Sequence, residues 1–128
     1  MHPDPLRRSW SAKFKDAFRG TWEGMRGQSS FRVHALAAVL VVAAGVHFCV
    51  DRWEFCLLIL CITAVFVSEL FNSALERLAK AVDREHNPLI GAALDIASAA
   101  VLWAAFGAAV VGLIILWPHM WNMGGGLF

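Results

Sequence analysis

The chain has 128 residues, of which 59% are hydrophobic and 16% are charged, and its mean hydropathy is +0.59. Soluble domains carry about a quarter charged residues, so this composition excludes a soluble enzyme and a disordered tail. The formal net charge of +1 offers no overall attraction for nucleic acid. Three cysteines without a CxxC pair exclude a disulfide scaffold. We expect a single integral membrane domain over residues 1–128.

The first predicted element is an amphipathic surface helix over about residues 9–30. Its mostly apolar side chains recur every three or four residues and therefore share one helical face: Trp10, Phe14, Ala17, Phe18, Thr21, Trp22 and Met25. Charged residues occupy the other sides. A helix of this kind lies in the membrane surface, either as a plain anchor or as one wall of a site.

Three apolar stretches then predict membrane-spanning helices over about residues 33–50, 55–75 and 92–117. At about 1.5 Å per residue, the first and third are long enough to cross most of a core roughly 30 Å thick. The middle stretch reaches that length only if it includes Glu69 and Asn72. A carboxylate at membrane depth is costly, so its presence is a functional hypothesis in itself.

The basic residues predict the orientation of these spans. Seven precede the first span, one lies between the first two, three lie between the last two, and none follows the third. Because basic residues stay on the cytoplasmic side, we expect a multi-pass protein with a cytoplasmic N-terminus and an outer C-terminus.

Polar side chains gather where the second span approaches the cytoplasm. One helical face carries four of them at spacings of three, four and seven positions: Glu69, Asn72, Ser73 and Glu76. Asp95 and Ser98 are expected at the same depth on the third span. Neighbouring carboxylates repel unless a cation or protons intervene, and oxygen ligands suit Mg²⁺. An ATP-dependent enzyme acting on lipid headgroups needs these groups, although some could simply join helices.

The run Glu-Leu-Phe-Asn-Ser-Ala-Leu-Glu at 69–76 resembles the E-x-x-N-[ST]-A-[IL]-E signature of the prokaryotic diacylglycerol kinase family, which includes undecaprenol kinases of Gram-positive bacteria. Three further segments match in family order: Phe-Arg-Val-His at 31–34, Glu-His-Asn-Pro-Leu at 85–89, and Asp-Ile-Ala-Ser-Ala-Ala-Val-Leu at 95–102. The resemblance extends over roughly residues 10–117. The first and last motifs are specific in combination, whereas either alone would be weak.

This resemblance implies an all-α membrane protein, with a surface helix and three transmembrane helices, that assembles as a homotrimer with active sites shared between neighbouring chains. It implies transfer of the γ-phosphate of Mg²⁺-ATP to the hydroxyl of a lipid alcohol in the bacterial inner membrane. Diacylglycerol is the first acceptor to consider, and undecaprenol follows closely.

The resemblance also carries residue roles over to this chain. Glu69 matches the catalytic base, Glu76 matches a metal-holding carboxylate, and Gln28 occupies the position of a second metal ligand. The positions that match the nucleotide site are Asn72, Glu85, His86, Asn87 and Asp95. The positions that match the lipid site are Phe31, Arg32, His34 and Ser98.

Three positions depart from the family pattern. Gln28 replaces a glutamate, and because an amide brings no charge, it should bind a metal more weakly. Leu94 replaces a lysine that contacts ATP phosphates, and Lys80 replaces an aspartate. One hypothesis is that Lys80 supplies the positive charge that is missing at Leu94. An unchanged apparent affinity for ATP in Lys80→Ala would exclude it.

Two other function classes stay open from the sequence. A degenerate family member that acts as a trimeric membrane scaffold would explain Gln28 and Leu94, but it has no need for buried carboxylates. The absence of ATP turnover would favour it. A small multidrug-type transporter fits the size of the chain but needs four spans and a deeper carboxylate. A cytoplasmic C-terminus in reporter fusions would favour that class.

Overall fold

The structure, a computed structural model, describes residues 8–82 and 87–125. Within these ranges it contains four α-helices and no strand. The helices are α1 (Trp10–Met25), α2 (Ser29–His47), α3 (Arg52–Ala81) and α4 (Pro88–Gly125). α2, α3 and α4 are long and apolar enough to cross a membrane. The predicted all-α architecture, a leading helix followed by three spans, is confirmed.

The break between α1 and α2 falls earlier than the sequence predicts. Ser9 caps α1 by accepting a hydrogen bond from the Ala12 amide at 3.3 Å. The helix ends at Met25, and Gly27 adopts a φ of +79°, which glycine reaches without a Cβ clash. The predicted helix over residues 9–30 is therefore wrong at its C-terminal end. Gln28 lies in the turn rather than on a helix.

Capping residues also extend the last two helices beyond their predicted bounds. Asp51 accepts a hydrogen bond from the Glu54 amide at 2.9 Å, so α3 begins at Arg52 and continues for 30 residues. Glu69 and Glu76 consequently lie on one uninterrupted helix. At the start of α4, the Asn87 side chain accepts from the Leu89 amide at 3.0 Å, and Pro88 occupies the first helical position.

α3 is the central helix of the bundle and contacts the other three. Leu58 and Val65 of α3 are buried, and Phe31 of α2 stacks on Phe66 with ring centroids 5.0 Å apart. Most other large apolar side chains stay exposed. In water such a surface would aggregate. It is the surface expected of helices that face lipid, where all backbone groups are satisfied within each helix.

α1 is held to α3 by its last turn. Ser73 Oγ donates to the carbonyl of Gly24 at 3.3 Å, and the Arg77 guanidinium donates to the carbonyl of Glu23. These carbonyls belong to the last turn of α1, where no further helical amide is available. Gly24 is buried so closely that an added Cβ would lie 2.6 Å from Leu70 Cδ2. α3 thus fixes the end of α1 and the turn that follows it.

The remainder of α1 presents its aromatic side chains outward. Trp10, Phe14, Phe18 and Trp22 are all more than half exposed, and Lys13 Nζ lies 4.8 Å from the ring centroid of Trp10. A helix tied at one end, with exposed aromatic groups and cations nearby, suits the interface between lipid and water. We call the end of the bundle that carries α1 and Glu69 the α1 end.

The tight contact at Gly24 predicts a specific stability defect. Gly24→Leu should lower the free energy of unfolding by roughly 1–3 kcal/mol, because it overpacks a filled site. Gly20→Leu is the matched control, since an added Cβ there meets nothing within 4 Å and both variants gain the same helix propensity. Denaturant titration in detergent micelles measures both. Equal stability of the two variants would contradict close docking of α1.

Candidate active site

Glu69 lies inside the bundle, with only 2% of its surface exposed. Both of its carboxylate oxygens face α2. Ser30 Oγ donates to Oε2 at 3.4 Å, and His34 Nε2 lies 3.0 Å from Oε1, at ion-pair distance but without hydrogen-bond alignment. Ser30 and His34 are four residues apart and so occupy one face of α2. A buried charge is costly without such partners, and α2 supplies both.

Glu76 lies two turns further along α3 and is held by two amides. Gln28 Nε2 donates to Oε2 at 3.1 Å from the α1–α2 turn, and Asn72 Nδ2 donates to Oε1 at 3.1 Å from one turn earlier on α3. Asn72 Oδ1 is buried and has no hydrogen-bond partner among the described residues. The structure therefore joins three predicted site residues, Gln28, Asn72 and Glu76, in one polar group.

This polar group fits a Mg²⁺ ion carried mainly by nucleotide phosphates. Such ions are usually held by one or two protein carboxylates together with phosphate oxygens. Glu76 supplies one carboxylate. A 180° rotation of the Gln28 side-chain amide would direct its oxygen, in place of its nitrogen, toward the ion. Within residues 8–82 and 87–125, no three histidine, cysteine or acidic side chains form a metal-binding cluster. An ion here would need ligands from the nucleotide.

Asp95 and Ser98 lie elsewhere on the surface. In this turn of α4 the side chain that packs inward is Ala97, which is 8% exposed. Asp95 precedes it by two positions, about 200° around the helix, and both Asp95 and Ser98 are exposed. Within the described residues of one chain, Asp95 makes no hydrogen bond or ion pair with Glu69 or Glu76, so the expected gathering of these carboxylates stays a prediction for a site shared between chains. The two helices meet through apolar residues instead.

The other predicted residues occupy varied positions. Phe31 is buried against Phe66, whereas Arg32 is exposed near the same end of α2. Asn87 caps α4. Glu85 and His86 lie outside the described residues, so their predicted contacts with the nucleotide stay predictions.

Lys80 and Leu94, which differ in charge from the family pattern, lie in different environments. Leu94 lines a small apolar cavity with Leu78 and Ala79 of α3. Lys80 follows Ala79 directly and is exposed in the last turn of α3. Lys80 thus has room to reach a ligand, whereas Leu94 is used for packing. The proposed compensation between them stays a prediction.

Two contributors to the site were missed from the sequence. Ser30 contacts Glu69, and its spacing of four from His34 could have indicated this. Arg77 anchors the carbonyl of Glu23. No local signal indicated that contact, because it depends on where α1 ends.

An open apolar groove of about 450 Å³ begins beside His34 and extends along the spans toward Met120. α2, α3 and α4 all line it. Small side chains create the space, namely Ala37, Ala38, Ala105, Ala108, Ala109 and Gly112. The groove leads from the partner of the buried carboxylate into the apolar part of the bundle. Its shape and lining suit a hydrocarbon chain.

Comparisons with known proteins agree with the motifs. A sequence model of the family described as prokaryotic diacylglycerol kinase matches residues 15–116. An undecaprenol kinase of Bacillus subtilis (strain 168) is 34% identical over 119 residues, covering 93% of this chain and 96% of that protein. A diacylglycerol kinase of Escherichia coli (strain K12) is 34% identical over 103 residues, covering 77% and 84% respectively. The chain belongs to the prokaryotic diacylglycerol kinase family.

Proposed function

We propose that this chain is a membrane lipid kinase that transfers the γ-phosphoryl group of ATP to the hydroxyl of a lipid alcohol. The observation that carries the proposal is Glu69, a carboxylate buried at the α1 end of three membrane-crossing helices and contacted by His34, which lines the apolar groove. Such a group can take a proton from an alcohol whose chain stays in the membrane. Membership of the family supports the same activity.

The chemistry follows from the positions of the two glutamates. Glu69 accepts the hydroxyl proton as the lipid oxygen bonds to the γ-phosphorus, and the bond from that phosphorus to the β–γ bridging oxygen breaks to release ADP. Mg²⁺, when bound with Glu76 and Gln28, supplies charge neutralisation on the phosphates. Asn72 and Glu76 orient the nucleotide. Most of the rate enhancement in such transfers comes from positioning and electrostatics.

The exposed Asp95 supports a shared site in a homotrimer. A carboxylate facing lipid near the end of a spanning helix would be costly. A neighbouring chain that covers this face would relieve that cost and bring Asp95 and Ser98 to its own Glu69 and Glu76. This arrangement is the one the family resemblance implies. We place α1 on the cytoplasmic face of a bacterial inner membrane, where ATP is available.

Diacylglycerol is the first acceptor we propose, and undecaprenol the second. Both are lipid alcohols that the relatives' names specify, and a relative of each kind has the same 34% identity. The groove accepts a hydrocarbon chain of either type. Gln28 still contacts Glu76, so its replacement of a glutamate does not by itself favour the scaffold alternative. The transporter alternative needs four spans, whereas the described residues contain three candidates.

Phosphoryl transfer in lipid bilayers tests the proposal directly. Purified protein, Mg²⁺ and γ-labelled ATP should place label in diacylglycerol or undecaprenol, offered in parallel. Glu69→Gln should lower kcat by roughly 10²–10⁴-fold, the usual contribution of a general base. Glu54→Gln, a substitution of the same type at the other end of α3, should leave it unchanged. Label in neither lipid, or full activity in Glu69→Gln, would contradict the proposal.

The polar group of Gln28, Asn72 and Glu76 predicts that a negative charge at position 28 strengthens Mg²⁺ binding. Gln28→Glu should lower the Mg²⁺ concentration needed for half-maximal activity several-fold, because two carboxylates would then face the ion. Gln28→Leu, which lacks any ligand atom, should raise it. The measurement is a Mg²⁺ titration of the transfer rate at fixed ATP. Identical titrations for wild type and both variants would place the ion elsewhere.

A shared site predicts complementation between inactive chains. Asp95→Ala and Glu69→Gln should each be nearly inactive alone. Subunit exchange between the two in detergent should restore part of the activity, because some sites would combine an intact Glu69 with an intact Asp95 from a neighbour. Each variant mixed with itself is the control. Activity no greater than the sum of the separate variants would argue for sites within single chains.

A further inference from the structure

The burial of Glu69 creates a problem that its role as a base does not solve. If Glu69 takes a proton from the acceptor in every turnover, it must lose that proton before the next. With 2% of its surface exposed, Glu69 has almost no contact with bulk water. A neighbouring group must therefore carry the proton away. This argument rests on the proposed function.

His34 is placed to do this. Its Nε2 lies 3.0 Å from Glu69 Oε1, and its side chain is 22% exposed, so the ring joins the buried carboxylate to a more accessible position. Imidazole can accept a proton at one nitrogen and release one from the other. Ser30 contacts the opposite oxygen, Oε2, through a longer 3.4 Å contact. Within the described ranges, Ser30 and His34 provide all the polar contacts that Glu69 makes from other helices.

Among residues 8–82 and 87–125, the one ion pair that His34 makes is with Glu69. On α3, Glu69 is the acidic group that faces the ring, because Glu76 lies two turns away and is held by Gln28 and Asn72. On α2, Arg32 is exposed and lies two positions from His34, on a different side of the helix. α4 lines the adjoining groove with apolar residues, among them Ala105 and Ala109.

We propose that His34 is a positioning residue that acts through Glu69: it lies against Oε1, leaves Oε2 for the acceptor hydroxyl, and resets the base after each transfer. The lipid hydroxyl, which replaces Ser30 at Oε2, gives its proton to Glu69. Rotation of the carboxyl group then turns the protonated oxygen toward the neutral ring. Nε2, which is free to accept while the ring carries its proton on Nδ1, takes the proton, and Nδ1 releases its own proton to water through the accessible side of the ring. Exchange of the remaining proton with water returns the ring to the Nδ1–H tautomer before the next turnover. The carboxylate is thereby restored, and no other reactant is required.

A role limited to lining the lipid site makes a different prediction. In that case any side chain of similar shape and polarity would serve, and changes would affect the KM for the lipid. Loss of proton transfer should instead lower kcat, with KM values for lipid and ATP little changed. His34→Gln separates the two roles, because an amide can hydrogen-bond Glu69 but cannot take up and release its proton.

The experiment compares His34→Gln and His34→Ala in the bilayer transfer assay. We expect kcat to fall about tenfold or more in both, within the range of general acid–base effects acting through a second group. Imidazole added to His34→Ala should restore part of kcat, and substituted imidazoles of increasing basicity should restore progressively more. His47→Gln, at the other end of α2, is the matched control and should keep the wild-type rate.

Three results would overturn this role. They are a wild-type kcat in His34→Gln, a loss confined to KM, and no response of His34→Ala to any imidazole. If His34→Ala fails to fold, His34→Gln decides the question alone, by whether the loss is in kcat or in KM. Full activity in Glu69→Gln would instead refute the base assignment on which the proposed function rests. The two failures are therefore distinguishable.

Discussion

The central constraint on this structure is that a carboxylate inside three membrane-crossing helices must find its partners within the bundle. Glu69 meets that constraint through one face of α2, where Ser30 and His34 contact its two oxygens. The same face brings Phe31 onto Phe66, one turn away from Glu69 on α3. Apolar stacking and the polar contacts thus require one register between α2 and α3. A shift of one turn would leave the charge unpaired, at a cost of several kcal/mol.

The next turns of α3 extend this arrangement to α1. Ser73 and Arg77 satisfy carbonyls of the last turn of α1, and Gly24 allows the close approach. Because Gly27 ends the helix immediately afterwards, Gln28 is delivered to Glu76. α3 alone therefore carries the proposed base and the proposed metal carboxylate. It also holds the end of α1, and with it the turn that brings Gln28 to Glu76. Changes in how α1 packs against α3 should therefore affect nucleotide binding more than lipid binding.

The sequence predicts the fold well because its strongest signals are local. Apolar stretches define three spans, helical spacing places Glu69, Asn72 and Glu76 on one face, and the octet motif indicates the family. The end of α1 could not be predicted, since Gly20 and Gly24 lie inside the helix while Gly27 ends it. The rotation of α4 about its own axis could not be predicted either. Residues 99–117 are apolar on all sides of the helix, so no hydrophobic stripe indicates which face meets α3.

That rotation has a chemical consequence for a lipid kinase. One chain directs Glu69 and Glu76 toward α1 and α2, while its Asp95 is exposed on α4. If all three groups belong to one active site, no single chain can complete it. The exposed Asp95 of one chain would then complete the site formed by Glu69 and Glu76 of its neighbour. The cost of leaving Asp95 in lipid favours assembly of the chains. Association and catalysis would depend on the same side chain. A monomeric chain would then be inactive even if each of its helices were folded.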